Sequence, residues 1–325
     1  MHTESPIPVT VITGFLGSGK TTLINRILAA RPTEKIAVIE NEFGAAAIDH
    51  ALLAREAEVV ELNDGCICCS VRGDLIRILG DFSQRIAAGT LHLDRVLIET
   101  TGLADPAPVI QTFFADATVH ARFRLDALLT VIDAEHAMRQ LDAHASAREQ
   151  VAYADLLLIG KRDRTDEPRF AELVRRLIRL NPRAPTYSMT QGDLPLHSLL
   201  DIGAFNLSSL LELEPGFLQD SHTHHHDDIR ALVYTNPRPF DEARLEDFMA
   251  QLIARHHPNL LRYKGLLHLA NEPGMTALQG IHMTVYGDRV RPWPAGTPPA
   301  STLVFIGRDL PESEIRSPPP AAPPR

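Results

Sequence analysis

Cysteine is nearly missing from this chain. Three are present in 325 residues, and all fall in one tetrapeptide, Cys66-Ile67-Cys68-Cys69. A secreted disulfide framework spreads an even number of cysteines along its length, so that class is excluded. No apolar run approaches the roughly 20 residues that a membrane-spanning helix needs. The opening Met1-His2-Thr3-Glu4-Ser5-Pro6 lacks the basic-then-apolar order of a secretory signal. Positive charge is short too: 32 lysines and arginines face 41 acids, a net charge of −9. Nothing resembles a basic arm, which argues against nucleic acid as the main ligand. Internal repeats are absent. The expectation is a cytosolic protein with no membrane and no nucleic-acid partner.

What is present starts with Gly14-Phe15-Leu16-Gly17-Ser18-Gly19-Lys20-Thr21. It fits G-x-x-x-x-G-K-[ST], the loop that cradles phosphates. The preceding Val9-Thr10-Val11-Ile12-Thr13 is alternating and β-branched, so it reads as a strand. Leu23, Ile24, Ile27 and Leu28 then share one helical face. A loop between strand and helix aims backbone N–H groups and the positive helix end at phosphate oxygens. The candidate nucleotide-binding set is Gly14, Gly17, Ser18, Gly19, Lys20, Thr21 and Thr22. Lys20 would reach the terminal phosphates and Thr21 would hold a magnesium ion.

Apolar residues make up 44%, ordinary for a globular protein, and the length suggests two domains. Strands are predicted at 35–39, 59–62, 96–98, 127–132, 155–159 and 186–189, with helical patterns between them. Alternating strands and helices with near-continuous apolar strands predict an α/β parallel sheet with helices on both faces, its ligand site beyond the strands' carboxyl ends. Regularity fades near residue 205. Strands at 229–234, 263–269, 282–286 and 302–306 and a helix over 241–256 predict a smaller C-terminal α+β domain. The expected organisation is a phosphate-loop domain over 1–208, a His-rich linker over 209–228, the α+β domain over 229–316, and a disordered Pro-rich tail over 317–325.

Glu99-Thr100-Thr101-Gly102 ends an apolar strand. A carboxylate there can organise the metal's water shell, and a glycine N–H can sense the terminal phosphate, as phosphoryl transfer requires. The three cysteines read as soft metal ligands, suited to zinc and related ions. Cys-x-Cys-Cys spacing does not easily close a tetrahedron alone, so a two- or three-thiolate site completed by a carboxylate, a water or a partner is expected. Glu40 and Glu42, at the end of a neighbouring strand, are the candidates for the carboxylate. Buried structural thiols and a redox pair remain alternatives at this level.

The phosphate loop, Glu40-Asn41-Glu42-Phe43-Gly44, Gly65-Cys66-Ile67-Cys68-Cys69 and Glu99-Thr100-Thr101-Gly102, in this order, resemble the CobW-type metal-chaperone GTPases. The likeness runs from about residue 7 to about 316 and includes Arg262-Tyr263-Lys264-Gly265 and Val304-Phe305-Ile306-Gly307. The resemblance implies a P-loop GTPase domain, a smaller C-terminal domain, and metal binding tied to nucleotide state. It favours Glu40 over Glu42 as ligand.

One element departs from the usual pattern. GTPases carry Asn-Lys-x-Asp after a strand; here the strand ends in Gly160-Lys161-Arg162-Asp163. Lys161 can still cover the base and Asp163 can still accept from guanine's N–H groups, while Gly160 cannot supply an amide. Guanine preference is expected to survive. His222, His224, His225 and His226 read either as a loose metal-capture tract or as a solvated linker.

These readings combine into a magnesium-dependent GTPase whose catalytic candidates are Lys20, Glu99 and Gly102. It would carry zinc on Cys66, Cys68, Cys69 and a glutamate, and deliver it to a client metalloprotein. A nucleotide- or metal-dependent homo-oligomer is compatible with that reading. Cobalt or nickel as cargo is the alternative, cobalt going to a cobalamin or nitrile-hydratase-type client. A metal buffer or sensor that delivers nothing is the other.

Overall fold

The structure is a computed structural model that describes residues 6–40, 58–61, 70–102, 104–189, 199–203, 229–293 and 298–318. The chain forms two compact units, Met1–Arg175 with Ala184–Gly203, and Arg176–Arg183 with Ala204–Arg325.

The first unit is built on β1 (Ile7–Thr13), α1 (Lys20–Ala30), β2 (Ile36–Glu40), β3 (Glu58–Glu61), α2 (Ser70–Ala87), β4 (Arg95–Glu99), α3 (Ala107–Ala115), α4 (Ala117–Arg122), β5 (Phe123–Asp133), α5 (Ala137–Ala143), α6 (Ala145–Tyr153), β6 (Leu156–Gly160), α7 (Glu167–Leu180) and β7 (Thr186–Ser188). Its seven strands lie in the order β3-β2-β4-β1-β5-β6-β7, and every pair is parallel. The central strands are buried on both faces: Val9, Val11, Ile12, Val96, Leu97, Ile98, Leu128 and Leu129 are fully inaccessible. Helices on both sides explain why these strands read as continuous apolar runs. From β1 the chain first winds through β2, β3 and β4 on one side, then through β5, β6 and β7 on the other. That reversal is a switch point, where the loops leaving adjacent strands part and open a crevice.

A buried ion network ties the other end of the sheet. Arg95, 3% exposed, lies 3.5 Å from Asp126 and donates to Asp201 at 2.7 Å, while the backbone N–H groups of Asp201 and Gly203 donate to Asp126 at 2.9 Å. Burial pushes the Asp126 carboxyl up from the ordinary range, against the pull of these donors and of Arg95. Partnering of this kind keeps a carboxylate tolerable at zero exposure.

The second unit contains β8 (Ile229–Asn236), α8 (Glu242–His256), β9 (Leu260–His268), β10 (Gly274–Ile281), β11 (Thr284–Pro292), β12 (Ser301–Arg308) and α9 (Glu312–Ile315). Its sheet is antiparallel in the order β11-β10-β9-β12-β8. The strand predicted at 282–286 begins two residues later, as β11. The first two residues of the predicted span, His282 and Met283, form a tight turn in which His282 takes φ of 49°. The preceding β10, Gly274–Ile281, is a strand that the sequence pattern does not mark. The domain therefore has five strands rather than about four. Asp241 caps α8 by accepting from Arg244 N–H at 3.1 Å. Leu245, Met249, Leu252 and Ile253 of that helix close on Tyr263, Leu267, Leu303 and Phe305 of the sheet.

Two glycines set the depth of that packing. A Cβ on Gly265 would strike Leu303 and lie 2.5 Å from Thr302 O. A Cβ on Gly280 would enter the ring of Tyr263, which is fully buried and stacks on Phe305 at 6.3 Å. Gly280→Ala is therefore expected to destabilise the protein by roughly 1–3 kcal/mol, as overpacking of a filled core does. A denaturant midpoint unchanged from wild type would show that Tyr263 moves aside freely.

Candidate functional site

The carboxyl ends of β1, β2, β4 and β6 carry the described residues among those singled out in the sequence: the phosphate loop, Glu40, Glu99 with Gly102, and Lys161 with Asp163. Gly14 opens the phosphate loop at φ 139°, and a Cβ there would run into the carbonyl of Val131 on β5. Gly19 caps α1 in the left-handed conformation, φ 106°. The loop is thus pressed against the sheet and ends on a helix N-terminus. The Ser18 hydroxyl is buried inside it without a hydrogen-bond partner.

Lys20 is 8% exposed; its Nζ donates to Gly14 O at 3.0 Å and sits 3.9 Å from Glu99 Oε1. Thr21 Oγ1 lies 3.3 Å from both carboxylate oxygens of Glu99. A hydroxyl and a carboxylate converging beside a phosphate loop form the oxygen pair by which proteins hold magnesium on nucleotide phosphates. The residues therefore fit that ion. Gly102 packs on the loop so closely that a Cβ would lie 2.5 Å from Leu16 N. Its carbonyl accepts from Gln150 Nε2 at 3.2 Å, and Ala104 O accepts from the same nitrogen at 3.1 Å. Gln150, on α6 and 1% exposed, thus clamps the segment after Glu99. Its only sequence signal is an amide inside an otherwise apolar helical face.

Strand register brings the acidic candidates to one line. Glu40 pairs with Glu99 on one side and with Glu61 on the other. Glu40 is 6% exposed, and its register with Glu99 sets its backbone one strand spacing, about 4.8 Å, from that of the carboxylate that meets Thr21. Glu42, Cys66, Cys68 and Cys69 lie outside the described residues, as do His222, His224, His225 and His226.

On the other flank, Lys161 adopts a left-handed backbone, φ 55°. Its Nζ donates to Gly17 O and to Asp133 Oδ2, both at 2.8 Å. Asp133, at the end of β5, also accepts from Glu135 N–H at 2.9 Å and lies 3.1 Å from His136 Nδ1. Burial alone would raise its carboxyl, but the Lys161 hydrogen bond, the Glu135 N–H and the Lys161 and His136 charges outweigh it, and the net shift is downward. Asp133, Glu135 and His136 are close enough to resemble a metal-ligand trio. Their engagement by Lys161 and Arg164 reads instead as a cation-organising cluster. Asp163 stands just past Lys161 and lines a cavity of about 470 Å3 with Thr22, Gly160 and Met189.

Asp133 escaped the sequence reading, and it yields a prediction. Asp133→Asn should weaken nucleotide binding by about tenfold or more, since a hydrogen bond to a charged group contributes roughly 1.5–3 kcal/mol and here it fixes Lys161 on the phosphate loop. Because the folded carboxyl is depressed, its stabilisation is complete above the ordinary value of 3.8 and is lost as pH falls through the lower folded value. Wild type should thus lose stability more steeply than Asp133→Asn below about pH 4. Parallel acid-unfolding curves would show that Asp133 is not carrying the Lys161 contact.

The model for the family described as CobW/HypB/UreG, nucleotide-binding domain, matches residues 8–188, and that for the cobalamin synthesis protein cobW C-terminal domain matches residues 229–318. The chain is 40% identical over 317 residues to the zinc chaperone YjiA of Escherichia coli (strain K12), covering 96% of this chain and 98% of that one. It is 30% identical over 286 residues to the zinc-regulated GTPase metalloprotein activator 1 of Saccharomyces cerevisiae, covering 78% of this chain and 65% of that protein. The crystal structure of Zn(II)-bound YjiA GTPase from E. coli superimposes with a TM-score of 0.75 at 36% identity, over 96% of this chain and 98% of that one.

Proposed function

The chain belongs to the CobW/HypB/UreG family, and from that premise we propose that it is a magnesium-dependent GTPase that carries zinc to a client metalloprotein under nucleotide control. The observation that carries the hydrolytic half is the convergence of Lys20, Thr21 and Glu99 at the head of α1. Lys20 would lie along the terminal phosphates, Thr21 and the shell organised by Glu99 would hold magnesium, and the Gly102 segment would sense the last phosphate. Magnesium, when bound, neutralises charge on the phosphate oxygens. Asp163 would select guanine by accepting from its N–H groups, with the Lys161 stem over the ring.

Zinc is favoured over cobalt or nickel because the similar E. coli protein is a zinc chaperone and its crystal structure contains Zn(II). The donor set proposed for the cargo is Cys66, Cys68, Cys69 and Glu40, soft thiolates completed by a replaceable oxygen. A client metalloprotein is in keeping with the metalloprotein activator relative in yeast. Thiolate ligation would also suit a reducing, cytosolic setting. Among the described residues no helix is long and apolar enough to cross a membrane.

The reading is tested by phosphate release with magnesium, comparing GTP and ATP, with and without zinc. GTP turnover well above ATP turnover is expected. Equal turnover would remove Asp163 as the base reader, and no turnover of either would leave a binding protein that buffers metal.

A further inference from the structure

We propose that Arg26 reads the guanine base, its guanidinium donating to O6 and N7 in place of the amide that Gly160 lacks. The inference deepens the GTPase reading and rests on it. Thr22 and Arg26 are four residues apart on α1, so they share a face one helical turn apart. Both line the cavity that Asp163 closes. The phosphates belong at the helix N-terminus, at Lys20 and Thr21. Arg26 is a turn further along, on the side facing the Gly160–Asp163 segment, where the base would sit.

Charge accounting in the cavity singles out this side chain. Lys161 is engaged by Asp133 and Gly17 O, Arg162 by Glu167 and Thr165 O, and Arg164 by Glu135. Among the described residues lining the cavity, Arg26 is the one cation without a hydrogen bond or ion pair. Among the described residues lining the cavity, donors left for the base are few. If Asp163 accepts from guanine N1–H and N2–H, then O6 and N7 remain as acceptors to be satisfied. Gly160 has no side chain to offer. The backbone N–H of Met189, at the mouth of the next strand, is spent on Ile159 O at 2.7 Å. A guanidinium matches O6 and N7 bidentately, and adenine, with an amino group in place of O6, would meet a donor with a donor. Arg26 would therefore add selectivity as well as affinity, which explains how a guanine site tolerates glycine at position 160.

The test is calorimetric titration of GDP, 7-deaza-GDP and ADP, with magnesium, into wild type, Arg26→Ala, Arg26→Lys and Arg26→Ala/Gly160→Asn. Arg26→Ala should weaken GDP roughly 5- to 100-fold, the discrimination that a guanidinium fork on guanine provides. ADP binding should change by less than about twofold. Wild type should bind 7-deaza-GDP, which lacks N7, more weakly than GDP, and that gap should close in Arg26→Ala. Lysine should not restore binding, since it lacks the planar fork. Gly160→Asn should restore part of it, because a Cβ at 160 meets only ordinary contacts, 3.6 Å from Ser18 O and 3.8 Å from Ile132 O. Equal losses for GDP and ADP would assign Arg26 to the phosphates and overturn the proposal, as would unchanged GDP affinity. A wild type that binds GDP and ADP alike, or neither, would overturn the guanine reading itself.

Discussion

Lys20→Ala is expected to lower GTP hydrolysis at least about 100-fold, the loss typical when a preorganised donor to developing transition-state charge is removed. The lysine is nearly buried, and its ammonium is fixed by Gly14 O at 3.0 Å on one side and Glu99 at 3.9 Å on the other. Protein contacts thus fix it at the loop's mouth, so little ordering is left to be done on binding. The variant should fold, because the loop's close packing depends on Gly14 against Val131 and Gly102 against Leu16 rather than on the ammonium. Phosphate-release assays with a melting curve on the same sample separate the two effects. A folded Lys20→Ala protein with near-normal turnover would move the chemistry away from this loop.

The contrast between what the sequence disclosed and what it hid follows range of interaction. The phosphate loop is local: strand, glycines and helix occur within about one βα unit, so pattern alone reveals it. Glu99 was legible because its strand is a pure apolar run that stops at a carboxylate. Asp133 was not, because its meaning comes from Lys161, 28 residues away and three elements later. Gln150 was hidden for the same reason, as its partners Gly102 and Ala104 lie more than forty residues upstream. Periodicity reports which face of an element is apolar; it does not report which distant loop a polar group on that face will meet.

The C-terminal sheet shows a different failure. β10 contains Gly274, Ala277, Gln279 and Gly280 and few β-branched residues, so its strand character comes from pairing with β9 and β11 on both sides rather than from propensity. Its turn at His282 and Met283 carries none of the Asn-Gly or Asp-Gly signature that marks a two-residue hairpin. Pattern alone therefore starts a strand on the turn itself and passes over β10. Arg262-Tyr263-Lys264-Gly265, visible only as a likeness, gains a physical reason: Gly265 and Gly280 are the places where Leu303 and Tyr263 need the space of a side chain.

The largest expected effect on metal is the coupling between cargo and nucleotide. Glu40 stands in register with Glu99, and Glu99 meets Thr21, so the proposed zinc oxygen and the proposed magnesium shell are one strand apart. A movement of the β4 end on nucleotide exchange would then reach the β2 end through the backbone ladder joining them. The GTP-bound protein should hold zinc more tightly than the GDP-bound protein, by roughly 5- to 150-fold, and zinc must tighten GTP by the same factor. Cys68→Ser or Cys69→Ser should abolish the tight site. Glu40→Ala should erode it less, because it removes the replaceable oxygen and leaves the thiolates. Thiolate ligation releases protons, so the tight site should weaken as pH falls below neutrality. Anaerobic zinc titration with GDP and with a non-hydrolysable GTP analogue reads the effect directly. Equal zinc affinity in the two states would break the link between hydrolysis and delivery, since a ligand that binds both states alike shifts neither.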